Sequence, residues 1–203
     1  SDEIEFIDGH FIARLTNHQF NFSDVACRTV DSHGLLKVVR KNEMHTPVYP
    51  NGTAICEVEI DPSTGATTVT RYSTVDDVGR CINPLIVHGQ THGGIVQGAG
   101  QALFEHCFVD HNSGQPVTGS LMDYGISRAA DFPSFKTEIA EVLSPTNPLG
   151  IKAGGEGGTT PALATIVNAV VDALAEFGVE DIAMPLTPQR VWAAIQNSSS
   201  SNH

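Results

Sequence analysis

Apolar residues recur at helical spacing over residues 162–177 and predict an amphipathic helix there. Thr160 is the expected N-cap, and Pro161 suits the first helical position, where its missing N–H costs nothing. Gly178 follows the last apolar residue and is a typical C-terminal stop. The apolar stripe consists of Leu163, Ile166, Val167, Val170, Val171, Leu174 and Phe177.

A second helix is predicted over residues 84–106, with Asn83 as its N-cap. Each glycine inside a helix costs up to about 1 kcal/mol relative to alanine, so a glycine-rich helix calls for a specific reason. Gln90, Gln97 and Gln101 share one face at positions i, i+7 and i+11. Two interpretations stay open: this face binds a flat, heteroatom-rich ring, or the glycines allow close helix packing while the glutamines face solvent. The glycines are Gly89, Gly93, Gly94, Gly98 and Gly100, with Gly94 between the glutamines.

Alternating apolar and polar residues predict a β-hairpin from residues 53–60 and 66–75. Asp76 and Asp77 are expected to end its second strand in a turn rather than to act in catalysis. A further strand is predicted over residues 137–143.

Shorter elements are predicted towards both ends of the chain. Residues 3–15 indicate a small hairpin, and residues 22–30 a short helix capped by Ser23. A last helix is expected to begin after Thr187 as its cap, with a buried side formed by Val191, Trp192 and Ile195. Together the elements predict an α+β fold in which a mixed or antiparallel sheet packs against two long helices.

Charge and composition exclude some classes of function. The 203 residues carry 11 basic and 23 acidic side chains, a net charge of −12, which argues against nucleic acid and anionic membranes as partners. No apolar run approaches the length of a membrane span and no signal peptide is recognisable, so a cytoplasmic location is expected. The four cysteines form no CxxC motif and are expected to be buried thiols. His88 and His92 lack the third ligand that a zinc site requires.

The most distinctive stretch spans residues 147–160 and holds a single acid, Glu156, flanked by four glycines. Glycines at this density let the backbone run close to a ligand, and the helix start behind them offers N–H groups to an anion. A carboxylate shielded from water there is suited to act as a general base. The alternative interpretation is a flexible turn with a solvated glutamate. No nucleotide-binding glycine fingerprint is present.

Four stretches carry a family resemblance, and they occur in the family's order. Residues 150–156 match the motif G-x-K-x-x-G-E, and they follow residues 75–103 and 118–124 and precede residues 184–192. Together these stretches resemble the molybdenum hydroxylases, the family of xanthine oxidase, aldehyde oxidase and carbon monoxide dehydrogenase. The likeness covers about residues 46–197 and is strongest to the carbon monoxide dehydrogenase-like branch of large subunits.

The resemblance implies the C-terminal part of a molybdenum-binding subunit, with molybdopterin as the cofactor of the full enzyme. It makes Glu156 the catalytic base that removes a proton from water or hydroxide at molybdenum before a small-molecule substrate is oxidised. It puts Gln90 first and Gln97 second against the cofactor, and the helical spacing adds Gln101. The other cofactor-binding residues expected are Gly94, Lys152 and Gly155, and no side chain is expected to be a metal ligand.

The same resemblance implies partners and a division of the chain. The N-terminal half of the subunit, and iron–sulfur and FAD subunits or domains, would complete the enzyme. We therefore expect the chain alone to fold, to bind no cofactor, to be inactive and to self-associate through an exposed surface. Residues 1–45 are expected to be a loosely matched lead-in, residues 46–197 the family-like core and residues 198–203 a frayed tail. Lys152 would weaken Glu156 as a base if its ammonium group pointed at that carboxylate.

Two alternatives from other classes stay open. The chain would be an interaction or assembly module if it kept the fold without the chemistry. It would be a phosphate-binding domain if the helix start at Thr160 held an anion.

Overall fold

The structure is a computed structural model that describes residues 3–16, 18–34, 37, 39–41, 43 and 46–200. The chain divides into two compact units between residues 45 and 46, and each unit is described by itself.

The described residues of the first unit form a three-stranded antiparallel sheet and one helix. Strands β1 (Ile4–Ile7) and β2 (His10–Ala13) form the predicted hairpin, and β3 (Gln19–Asn21) pairs with β2. Helix α1 spans Phe22–His33 and is longer than predicted. Its N-cap is Asn21, whose side chain accepts a hydrogen bond from the Asp24 N–H at 2.8 Å, so the prediction of Ser23 as cap is wrong.

The second unit is built on a mixed three-stranded sheet. Strands β4 (Asn51–Asp61) and β5 (Ala66–Asp77) form the predicted antiparallel hairpin, and β6 (Lys136–Ile139) lies parallel to β5. The prediction that a strand continues to residue 143 is wrong. The mixed sheet is one of the two arrangements that the sequence predicted.

A β-bulge changes which residues of β5 face the core. Glu57 lies opposite Arg71 but Val58 lies opposite Val69, so Thr70 is an additional residue on β5. Beyond the bulge the alternate residues Tyr72, Thr74 and Asp76 are therefore buried, and the simple alternation predicted for this strand is wrong. Strand β5 also includes Asp76 and Asp77, which are 6% and 7% exposed, so neither residue belongs to a strand-ending turn.

The second unit has three α-helices, α2 (Pro84–Leu103), α3 (Thr159–Leu174) and α4 (Pro188–Ser200). The Asn83 side chain caps α2 as predicted, by accepting from the Ile86 N–H at 3.2 Å. Helix α3 begins at Thr159, one residue before Thr160. Its N-cap residue is Gly158, which has no side chain to cap the helix, so the prediction of Thr160 as N-cap is wrong. A 3₁₀ turn (Ala175–Phe177) continues α3 and ends at Gly178, which is left-handed with φ 79°.

Helix α4 follows its predicted start, because the Thr187 side chain accepts from the Arg190 N–H at 3.4 Å. Val191 and Ile195 are buried, but Trp192 is 44% exposed, so its assignment to the buried side is wrong. The helix continues to Ser200, so residues 198–200 of the expected frayed tail are helical, and residues 201–203 lie outside the described residues.

The core lies where α2 and α3 pack on each other and on the inner face of the sheet. Ala162, Ile166, Val170 and Leu174 on α3 are fully buried. The segment Thr159–Phe177 has 19 residues and a mean hydropathy of 1.3, long and apolar enough to span a membrane. The expectation that no segment reaches that length is wrong, although a core helix such as α3 meets the same criteria.

The cysteines differ from the predicted set of buried thiols. Cys27 and Cys107 are exposed, and Cys56 and Cys81 are half-buried. Burial, with a smaller contribution from the negative charge of Glu57, raises the pKa of the Cys56 thiol to about 11.

Candidate functional site

The loop that carries Glu156 connects β6 to α3 and runs beside the end of β5. The Lys152 N–H donates to the Val78 carbonyl at 2.8 Å, and the Arg80 N–H donates to the Gly150 carbonyl at 3.0 Å. Gly79 has φ 64°, and a Cβ there would collide with the Gly150 carbonyl oxygen, so the two segments need a glycine to approach this closely. The end of β5 therefore fixes the first part of the loop.

A buried ion pair reinforces this attachment. The Lys152 ammonium lies 2.5 Å from Asp77 Oδ2, and the two side chains are 10% and 9% exposed. Asp77 Oδ1 accepts further hydrogen bonds from the N–H groups of Gly79 at 2.9 Å and Val142 at 3.1 Å. Burial alone would raise the pKa of Asp77, but the hydrogen bonds, that from Lys152 first, outweigh it and lower the pKa to about 2. The ammonium group of Lys152 is therefore directed at Asp77.

Helix α2 holds the second part of the loop. The Gln90 side-chain amide donates to the Gly155 carbonyl at 2.7 Å across 65 residues of sequence. On the other side of the acid, the Thr160 N–H donates to the Glu156 carbonyl at 3.0 Å. The main chain is thus anchored at Gly155 and at Glu156, while the Glu156 side chain is exposed.

The glycines of α2 have two different surroundings. A Cβ at Gly94 would lie 2.8 Å from the Thr159 nitrogen, and one at Gly98 would lie 2.7 Å from the Ala162 Cβ, so both permit the close approach of α3. Apart from the backbone of α2 itself, no atom lies within 4 Å of a Cβ at Gly89 or Gly93. Close helix packing therefore accounts for Gly94 and Gly98, and it does not account for Gly89 and Gly93.

Two cavities flank the Glu156 loop, and Gly155, Glu156 and Thr160 line both. The cavity beside α2 has a volume of about 480 Å³. We name it the α2 cavity. It brings together five of the seven predicted site residues, namely Gln90, Gly94, Gln97, Gly155 and Glu156. Gln101 lies on an exposed part of α2 and is not among its lining residues, and neither is Lys152.

The cavity on the sheet side of the loop has a volume of about 520 Å³, and we name it the sheet cavity. Asp76 lines it and accepts from the hydroxyl groups of Thr74 at 3.3 Å and Thr91 at 3.4 Å. Burial raises the pKa of the Asp76 carboxyl above its ordinary value. The sequence assigned Asp76 to a turn instead of to a cavity, because its position facing the cavity depends on the bulge in the hairpin.

The charges around the loop favour some ligands over others. The ionisable side chains among the described residues that line the two cavities are Asp76 and Glu156, and both are acidic. The Thr160 N–H at the start of α3 is already bonded to the Glu156 carbonyl. A phosphate at this helix start would therefore meet acidic neighbours and compete with an existing hydrogen bond.

The histidines considered for a zinc site meet a hydroxyl group instead. Ring nitrogens of His88 and His92 lie 2.7 and 3.2 Å from the Thr137 Oγ1. Across the part of the chain that the structure describes, no group of three or more His, Cys, Asp or Glu side chains is arranged to hold a metal ion.

Comparison with known proteins gives the family. Residues 1–133 match the model of the molybdopterin cofactor-binding domain. The chain is 37% identical over 208 residues to the gamma subunit of the 6-hydroxypseudooxynicotine dehydrogenase complex of Paenarthrobacter nicotinovorans, a match that covers 96% of this chain and 25% of the relative. It is 38% identical over 148 residues to the carbon monoxide dehydrogenase large chain of Hydrogenophaga pseudoflava, covering 73% of this chain and 18% of the relative.

Solved structures share the fold. The crystal structure of quinoline 2-oxidoreductase from Pseudomonas putida 86 superposes with a TM-score of 0.84 at 37% identity, over 96% of this chain and 26% of that one. The family match begins at residue 1, so it includes the first 45 residues, which the sequence motifs did not cover. The chain spans about a quarter or less of the length of these relatives. It belongs to the molybdopterin cofactor-binding domain family, whose relatives are oxidoreductases of the molybdenum hydroxylase type.

Proposed function

We propose that this chain is the C-terminal part of the molybdenum-binding subunit of a molybdenum hydroxylase-type oxidoreductase that acts on a small molecule. In this proposal Glu156 is the general base and the α2 cavity is part of the molybdopterin site. The observation that carries the proposal is the hydrogen bond from Gln90 to the Gly155 carbonyl. It joins the glutamine-bearing face of α2 to the glycine loop directly beside Glu156.

The surface of the α2 cavity fits a pterin in shape and in donor set. Gly89 and Gly93 present backbone without side chains, and open space lies over both, so a flat ring has room to approach. The amides of Gln90 and Gln97 offer donors and acceptors suited to ring nitrogens and carbonyl groups. These four residues, with the backbone of Gly155, would hold the cofactor, which when bound supplies the two-electron oxidation of the substrate.

The other residues predicted to bind the cofactor have weaker support for a direct contact with it. The buried Gly94 would act by letting α3 approach α2. Gln101 lies outside the cavity lining, and the ammonium group of Lys152 is committed to Asp77.

Glu156 would act by accepting a proton at its carboxylate. Its neighbours on both sides are glycines, so no adjacent side chain blocks the approach of a small molecule. Its main chain is held by Gln90 through Gly155 and by the Thr160 N–H, which limits the positions that the carboxylate can adopt. Packing by the rest of the subunit over this loop would exclude water and strengthen the base.

The test is Glu156→Gln in the complete subunit assembled with its partners. Glutamine is nearly isosteric but cannot accept the proton, so kcat should fall by roughly 10²-fold or more while pterin and molybdenum contents stay unchanged. The matched control is Glu176→Gln, which alters an exposed glutamate in the 3₁₀ turn after α3 and should leave kcat unchanged. A kcat for Glu156→Gln within about tenfold of the unsubstituted enzyme would reject the general base.

We also infer that the isolated chain is inactive and needs the N-terminal half of the subunit, with iron–sulfur and FAD partners supplying electron transfer. Several apolar side chains in the second unit are strongly exposed, as expected of a surface that another segment covers. The most exposed are Leu85 at 82%, Leu121 at 76% and Met122 at 93%. The chain expressed alone should contain no molybdenum and should self-associate, and stoichiometric molybdenum in it by elemental analysis would contradict this inference.

A further inference from the structure

We propose that Asp77 and Lys152 form a positioning pair that sets the Glu156 loop against the end of β5 and holds the Lys152 ammonium away from Glu156. The inference rests on the proposed role of Glu156. Neither residue is a catalytic residue here, because both act through the position of the loop.

The pair is built specifically rather than by chance proximity of two surface charges. Both carboxylate oxygens of Asp77 are used, Oδ2 by Lys152 and Oδ1 by the N–H groups of Gly79 and Val142. These donors come from β5's own end, from the segment after β6 and from the Glu156 loop, and the Asn51 side chain of β4 bonds to the same carboxylate, which therefore joins four parts of the chain. The two charged residues are 75 positions apart in the sequence.

The pair lies close enough to Glu156 along the loop to influence the position of that residue. Lys152 stands four residues before Glu156, and its own N–H is bonded to the Val78 carbonyl at 2.8 Å. Gly154 then passes Val78 so closely that a Cβ there would lie 2.9 Å from the Val78 Cγ1. The next described anchor is the bond from Gln90 to Gly155. The ion pair therefore anchors the loop at Lys152, before Glu156, to the end of β5. Gln90 anchors it at Gly155, directly beside Glu156, to α2.

A role in global stability explains this pair poorly. Removing two charges from water is costly, so a buried ion pair is seldom more stabilising than apolar residues of similar volume. Positional specificity is the better reason for such a pair at this place. The direction of the ammonium group matters as well, because a cation beside Glu156 would favour its charged form and weaken it as a base.

The experiment compares the neutral double variant Asp77→Asn/Lys152→Met with the unsubstituted complete enzyme. Because both charges are removed together, no uncompensated buried charge is left, and the Tm and the pterin content should change little. We expect kcat to fall about tenfold or more with KM changed less than threefold, because chemistry rather than binding depends on the loop position. The control is Glu57→Gln/Arg71→Met, which removes an exposed ion pair of the same sheet, with 2.8 Å between its charged atoms. This variant should change neither kcat nor KM.

A second readout does not depend on catalysis. The N–H groups of Lys152 and Arg80 bond the loop to the end of β5 at 2.8 and 3.0 Å, and their hydrogen exchange in the double variant should become at least about tenfold faster while the amides of α2 stay protected. If Glu156→Gln leaves turnover intact but this exchange still rises, the base assignment fails and the positioning pair stands. Unchanged exchange together with kcat within twofold of the unsubstituted enzyme overturns the pair.

If the double variant does not fold, Asp77→Glu provides the same test with both charges kept. The added methylene moves the contact point of Lys152, so kcat should fall by a similar factor at normal pterin content. A folded Asp77→Glu enzyme with unchanged kcat and unchanged loop exchange also overturns the proposal.

Discussion

The glycines on the two sides of helix α2 resemble each other in sequence but differ in what surrounds them. Gly94 and Gly98 lie under α3, where a Cβ would come within 3 Å of its atoms. Gly89 and Gly93 face the α2 cavity, where a Cβ would meet nothing within 4 Å. Within the described part of the chain, packing therefore explains the first two glycines and leaves the second two unexplained.

The difference shows how to separate structural from functional glycines in a helix. A glycine costs a helix up to about 1 kcal/mol relative to alanine, whatever surrounds it. At Gly94 and Gly98 the close contact of two helices offsets that cost. At Gly89 and Gly93 no contact among the described residues offsets it, and this supports the proposal that the surface holds the cofactor.

The largest effect on stability should come from the packed side. Gly98→Ala places a Cβ 2.7 Å from the Ala162 Cβ and 2.8 Å from the Thr159 carbonyl oxygen, so α2 and α3 must move apart. Overpacking of this kind costs about 1–3 kcal/mol, which the helix propensity of alanine only partly offsets. Differential scanning calorimetry of the isolated chain should show a lower Tm. An unchanged or higher Tm would show that the helices are not in contact at this point.

A smaller effect is expected from the amides of the open side. Gln90→Ala removes the hydrogen bond to Gly155, a contribution of about 0.5–1.5 kcal/mol, or roughly a 2- to 12-fold loss in cofactor affinity if the loop shape is needed for binding. Gln101→Ala should have no comparable effect, because Gln101 does not line the cavity. Pterin per complete subunit after purification is the measurement. Equal losses in the two variants would reject the ranking of these glutamines.

The smallest effect should have the opposite sign. Gly89→Ala in the isolated chain adds a Cβ into open space and removes the glycine cost, so it should stabilise the chain by up to about 1 kcal/mol. Differential scanning calorimetry of the isolated chain, run beside the Gly98→Ala variant, should show a higher Tm. A destabilisation would mean that α2 needs a glycine there for its own structure.

The sequence predicted those elements whose signals are local. The caps at Asn83 and Thr187 and the hairpin of β4 and β5 each depend on residues a few positions apart, and all three were confirmed. The start of α3 was placed two residues late, because it is set by packing of Gly158 and Thr159 against α2 rather than by a side-chain cap. Contacts with distant residues override local preferences of this kind.

In the candidate site, too, some features follow from the sequence and others depend on contacts between distant residues. The resemblance identified Glu156, Gln90 and Gln97, which the structure brings to one cavity. The partnership of Lys152 with Asp77 could not be predicted, because no local pattern links residues 75 positions apart. Asp76 was assigned to a turn because alternation alone gives no sign of the additional residue in β5 that directs it towards the cavity.

The most direct test of the claim that the open side of α2 holds the cofactor is Gly93→Leu in the complete subunit. A Cβ at Gly93 meets nothing, so the helix should remain folded and its Tm should not fall, but the larger side chain would occupy the α2 cavity. The control is Ala164→Leu, which adds the same side chain at an exposed position of α3 outside that cavity. We predict that Gly93→Leu purifies with less than a tenth of the pterin of the control, whereas full pterin occupancy in a folded Gly93→Leu subunit would contradict the account.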